Sequence, residues 1–130
     1  MILAGLLLAG LTAAVHVLIF WLQSLAWGGP LARRTFGTHD DVAVESTREF
    51  ALNQGFYNLF LAVMTVAGIV LTAAGHLAPG SALVFAGCGS MAAAGLLLFV
   101  TSPDKRQAAL KQGVVPALAV VLLAVGLLVA

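Results

Sequence analysis

Four stretches of this chain are apolar for long enough to decide its fold class. A helix needs about 20 consecutive apolar residues to cross the hydrocarbon of a bilayer. Such runs extend from about Ile2 to Trp27, Phe50 to Ala74, Ala82 to Val100 and Val114 to Ala130. The last is short, and either reaches only the far interface or ends within it. Composition agrees: 62% of residues are hydrophobic and 8% charged, where a soluble domain carries about 25% charged residues. The chain is therefore read as all-α, a four-transmembrane-helix bundle forming one domain over residues 1–130. The first run lacks a basic leader and outlasts the roughly 7–15 apolar residues of a signal peptide, so it is expected to stay as a helix.

The connections fix an orientation. Gly28 to Glu49 holds Arg33, Arg34, Asp40, Asp41, Glu45, Arg48 and Glu49, and Pro103 to Lys111 holds Asp104, Lys105, Arg106 and Lys111. The middle connection, Gly-His-Leu-Ala-Pro-Gly-Ser at residues 75–81, has no formal charge. Lysine and arginine bias loops to the cytoplasm, which places both charged connections there and both termini on the non-cytoplasmic side. With a net charge of +1, no basic patch is large enough to track phosphates, and nucleic acid is not expected as a partner.

Local signals mark helix ends. Gly28-Gly29-Pro30 stops the first span, and Trp27 fits an interfacial anchor. Thr38 or Asp40 can cap a helix that starts near Asp41, before the membrane surface. In the third span, Ala86 and Ser90, and Gly89 and Ala93, are small residues four apart, a spacing that favours close helix packing and offers a route to a homo-oligomer. Cys88 lies in an apolar run and reads as a small buried residue; His76 reads as a solvated turn residue.

The polar residues inside the spans carry the functional question. Amides are costly in hydrocarbon unless they find partners. His16 lies eleven residues before Trp27, about 16 Å from the cytoplasmic edge. Asn58 lies nine residues after Glu49, about 13 Å in. The matched depths allow His16 and Asn58 to meet across the first two spans. His16, Phe20, Gln23 and Trp27 share one face of the first helix; Glu49, Asn53 and Tyr57 share one face of the second, with Gln54 and Asn58 beside it. Pro116 deprives the carbonyl of Gln112 of its usual donor at the cytoplasmic end of the fourth span.

Two readings stand side by side. In one, Asn53, Gln54 and Asn58 hydrogen-bond neighbouring helices and fix their register, at about 0.6 kcal/mol per bond and up to roughly 2. In the other, His16, Asn53, Gln54, Tyr57 and Asn58 orient a small apolar or amphipathic ligand in a pocket open to the cytoplasm, with Gln23 and Gln112 at its mouth. No nucleophile–base pair, phosphate loop or ligand-spaced Cys/His set is visible, so no catalytic residue is assigned. One histidine makes a poor metal site, and no cofactor is assigned.

The residues His16 to Trp27 (HVLIFWLQSLAW), Phe36-Gly37, Asn53 to Ala62 (NQGFYNLFLA), Gly87-Cys88 and Gln112 to Leu123 (QGVVPALAVVLL) resemble the small membrane proteins of bacteria and fungi grouped as domain of unknown function 1304. The resemblance covers nearly the whole chain. It implies four helices and a membrane location, taken as the bacterial inner membrane, and brings no established activity. It also implies a glutamate where this chain has Gln23, which removes a possible acid or metal ligand. A looser likeness in topology is to the membrane-associated glutathione-handling enzymes, whose second helix opens with an arginine followed by an asparagine; Glu45, Arg48 and Asn53 offer part of that pattern. The alternatives to a ligand-binding protein are thus such an enzyme, or a structural or assembly subunit without a ligand.

Overall fold

The computed structural model describes residues 1–130, and all its regular structure is helical. α1 spans Ile2–Phe20 and continues into one π-helical turn, Trp21–Leu25. A short α2, Pro30–Phe36, precedes α3, Asp41–Ala73; α4 spans Leu77–Thr101, and a 3-10 turn at Pro103–Lys105 leads into α5, Arg106–Leu128. Four segments are long and apolar enough to cross a membrane: Ile2–Leu25, Asp41–Ala73, Leu77–Thr101 and Pro103–Leu128. The chain forms two compact units, residues 1–15 with 61–130, and residues 16–60.

The first unit contains a four-helix bundle built on glycine contacts. A Cβ on Gly5 would stand 2.8 Å from the backbone nitrogen of Leu123, joining α1 to α5. One on Gly68 would stand 2.7 Å from Gly80 O, joining α3 to α4, and one on Gly95 would stand 2.8 Å from Gly113 Cα, joining α4 to α5. Ile69 Cδ1 approaches Gly10 and completes the circuit between α3 and α1. Ala9, Val84, Cys88, Ala119 and Leu123 form the fully buried centre. Lipid tails are as apolar as leucine, so helices in a bilayer associate through close packing rather than water exclusion, and small residues let the backbones meet. Three hydroxyls here bond back to their own helices: Thr65 to Leu61 O at 2.9 Å, Thr72 to Gly68 O at 2.9 Å and Ser81 to Leu77 O at 2.7 Å. This satisfies each hydroxyl without a partner helix.

Several boundaries differ from the sequence reading. α4 begins at Leu77, five residues ahead of the expected start, because Pro79 falls in its first turn, where the missing N–H is harmless. α5 begins at Arg106 rather than Val114, so the polar stretch before Gly113 is helical too. Pro116 is buried within α5. α2 occupies what reads in sequence as a polar connection. The small-residue face is also displaced: α4 buries Gly87, Cys88, Met91 and Gly95, whereas Ala86, Ser90 and Ala93 are exposed and Gly89 has open space around it. Both faces are rich in small side chains, so composition alone does not tell them apart.

Candidate functional site

The second unit is a helical hairpin: the end of α1 with its π-turn, the α2 connection, and the first half of α3. Its connection is tied by Arg33. The guanidinium donates to Gly28 O at 2.7 Å, His39 O at 3.0 Å and Asp41 Oδ1 at 2.6 Å. Gly37 adopts φ 71°, in the left-handed region that favours glycine, and ends α2 with its N–H on Arg33 O. Phe36, before it, packs on Trp27 with ring centroids 5.5 Å apart. Asp40 caps α3, its Oδ1 accepting from Val42 N at 3.2 Å, as the sequence signal implies. Trp27 is half-buried, and its Nε1 donates to Val44 O at 3.1 Å.

The two long arms meet through a small residue. A Cβ on Gly55 would collide with Ser24 Oγ and lie 3.1 Å from Gln23 Cβ, so α3 presses its backbone onto the π-turn. At that crossing Ser24 Oγ donates to Leu52 O at 2.8 Å, and Phe20 and Phe56 pack edge to face at 5.1 Å. The π-turn closes with Ala26 N on Trp21 O at 2.9 Å. It takes more residues per turn than an α-helix, so consecutive side chains diverge less; Gln23 and Ser24 both reach α3.

Asn58 meets Gln23. Its Nδ2 donates to Gln23 Oε1 at 2.9 Å and to Gln54 O at 3.0 Å. The partner on the first span is Gln23, where the matched depths allow His16. Gln23 lies seven residues, about 10 Å, along α1 from the buried His16, so the amide partner sits that much nearer the connection. α3 is helical from Asp41 and runs 33 residues, about 50 Å, longer than the roughly 30 Å hydrocarbon.

The other candidates separate by exposure. Asn53, Gln54 and Tyr57 stand exposed on α3, and their side chains hold no hydrogen bond within the chain. Gln112 is half-buried on α5 and belongs to the first unit. Arg48 is engaged by Glu45 Oε2 at 3.0 Å and by Trp27 O at 3.4 Å. Ser24 and Gly55 escaped the sequence reading; a serine and a glycine on adjacent spans are the signal of a close crossing.

Chemically, the amide pair offers hydrogen bonds and nothing more reactive. Its mutual bond uses Asn58 Nδ2 and Gln23 Oε1. Gln23 Nε2 and Asn58 Oδ1 are left as a donor and an acceptor side by side, flanked by the exposed amides and phenol of Asn53, Gln54 and Tyr57. No three His, Cys, Asp or Glu side chains are placed to hold a metal ion.

No curated protein and no solved structure matches the chain. The family described as Protein of unknown function (DUF1304) matches residues 10–124, a range that holds the π-turn, the Gln23–Asn58 pair, the Phe36-Gly37 corner and the Gly95–Gly113 crossing. The chain belongs to that family.

Proposed function

We propose that this protein binds a small apolar or amphipathic molecule at the crossing of α1 and α3, within the membrane end that carries the α2 connection. The observation that supports it is the Gln23–Asn58 pair, half-buried, with one donor and one acceptor left over beside three exposed polar side chains. Such an array orients a ligand whose remaining surface is apolar, as binding sites with few convergent polar groups do. A π-turn under one of the two amides is a feature often found where a helix carries function. Native mass spectrometry of the gently solubilised protein tests this beside Gln23→Leu and Asn58→Leu. A discrete non-lipid mass on the native chain, lost in both variants, is expected. A bare or lipid-bound chain, unchanged in the variants, refutes the site.

In the same reading both charged connections face the cytoplasm and both termini face away from it, in a bacterial inner membrane, because all eleven Asp, Glu, Lys and Arg residues fall in those connections and the helix starts beside them. In a Cys88→Ala background, an impermeant maleimide should label His76→Cys in intact cells and spare Thr38→Cys. The reverse pattern inverts the topology.

A second reading, an assembly subunit, is favoured by α4. Its exposed Ala86, Ser90 and Ala93, with open space at Gly89, form a face that a second copy can approach closely. A concentration-dependent dimer abolished by Gly89→Leu supports it; a monomer at all concentrations does not.

A further inference from the structure

Within the first unit, α4 and α5 leave an apolar groove of about 470 Å³ on the bundle surface. Its floor is small because Gly95 and Gly113 bring the two backbones together, and Leu96, Phe99 and Leu110 stand along it. One end is charged. The guanidinium of Arg106 lies over the Phe99 ring, 4.9 Å from its centroid, and Nε donates to Phe99 O at 3.1 Å. Its two terminal nitrogens hold no hydrogen bond and the residue is exposed. Arg106, Leu110, Gly113 and Ala117 follow one another at spacings of three and four, so the arginine heads the same face of α5 that borders the groove. From Arg106 to Ala117 is eleven residues, about 16 Å, close to half of a roughly 30 Å hydrocarbon core.

We propose that this groove is a binding site for an anionic phospholipid, one acyl chain lying between α4 and α5 and the phosphate on Arg106. The groove has the length of one leaflet and the apolar lining a chain needs. Its head has the matching charge: Lys105, Arg106 and Lys111 against Asp104 alone. Nε is held by Phe99 O, so the terminal nitrogens present a fixed fork to phosphate oxygens. This site is independent of the Gln23–Asn58 array and involves none of its residues.

The test is native mass spectrometry of the full chain in detergent, with phosphatidylglycerol or phosphatidylcholine of identical acyl chains added at equal concentration. Native protein should retain phosphatidylglycerol about fivefold better, the preference that one basic residue near a membrane surface gives, about 1 kcal/mol. Arg106→Gln should bring phosphatidylglycerol down to the phosphatidylcholine level. Ala117→Phe, which fills the deep end of the groove from an exposed position, should lower retention of both lipids. Equal retention of the two lipids by the native chain overturns the proposal, and that comparison needs no variant to fold. So does a phosphatidylglycerol preference untouched by Arg106→Gln, retention of both lipids untouched by Ala117→Phe, or a second copy of the chain that excludes lipid from the groove.

Discussion

The glycine contacts of the bundle make a sharp quantitative test, because two glycines on one helix should respond oppositely to the same methyl group. A Cβ on Gly95 would lie 2.8 Å from Gly113 Cα, and 3.3 Å from both Ala109 O and Gly113 N. All three neighbours are backbone, which cannot rotate aside. Restoring ordinary contact requires α4 and α5 to part by about 1 Å along several turns, an overpacking cost of about 1–3 kcal/mol. The intrinsic preference of alanine over glycine in a helix returns at most about 1 kcal/mol. Gly95→Ala should therefore destabilise the protein, by up to about 2 kcal/mol. Gly89, six residues earlier on α4, has open space where its Cβ would stand. Gly89→Ala should be neutral or stabilising by up to about 1 kcal/mol. Reversible unfolding in mixed micelles of increasing dodecyl sulfate content, followed by circular dichroism, measures both. Equal responses at the two positions would show that α4 is rotated from the orientation described. A loss at Gly89 that deepens with protein concentration would show instead that a second copy covers that face.

The hairpin yields further expectations. A double-mutant cycle of Gln23→Ala and Asn58→Ala should give a coupling of about 0.6–2 kcal/mol, and a coupling of zero contradicts the pair. Gly55→Ala should cost more than Ser24→Ala in the same unfolding assay, since the added methyl meets Ser24 Oγ and pushes the arms apart, whereas Ser24→Ala removes only the bond to Leu52 O. Asp40→Ala should cost about 1 kcal/mol as a lost cap and show as faster hydrogen exchange at the Val42 amide; unchanged exchange there argues against the cap.

Much of this architecture is legible in the sequence, and the reasons are physical. Long apolar runs leave a membrane chain few choices, so four spans follow from composition and length. Gly28-Gly29-Pro30 interrupts the first span because those residues cannot continue it, and Asp40 declares a helix start through its side-chain oxygen. What stays hidden is register and rotation. Asn58 pairs with Gln23 because Gly55 sets how closely α3 lies on the π-turn and at what height, a fact about two helices together. The turn itself has no marker among Trp21 to Leu25. Rotation of α4 is hidden for a related reason: a helix that is apolar all round has no polar side to turn away from the core, so the Ala86/Ser90 and Gly87/Met91 faces look alike until their neighbours are known.

The exposed polar edge of α3 separates a structural from a functional role for the amides. A side chain kept only for stability should lose stability when replaced. Asn53 and Tyr57 hold no side-chain hydrogen bond in the chain and are exposed, so Asn53→Leu and Tyr57→Phe remove no internal contact. Their stability should be unchanged within about 0.5 kcal/mol, the usual range for surface substitutions away from special features. Exposed polar side chains on a largely apolar span, without a partner inside the chain, are where function is expected, because a protein tolerates local inconsistency chiefly at its working sites. The paired outcome is therefore decisive. Asn53→Leu and Tyr57→Phe proteins that unfold no more easily than the native chain, yet lose the non-lipid mass that Gln23→Leu and Asn58→Leu also lose, place Asn53 and Tyr57 on the ligand. Proteins that unfold more easily in dodecyl sulfate while retaining that mass would make the edge a packing surface, and the site would contract to Gln23 and Asn58 alone.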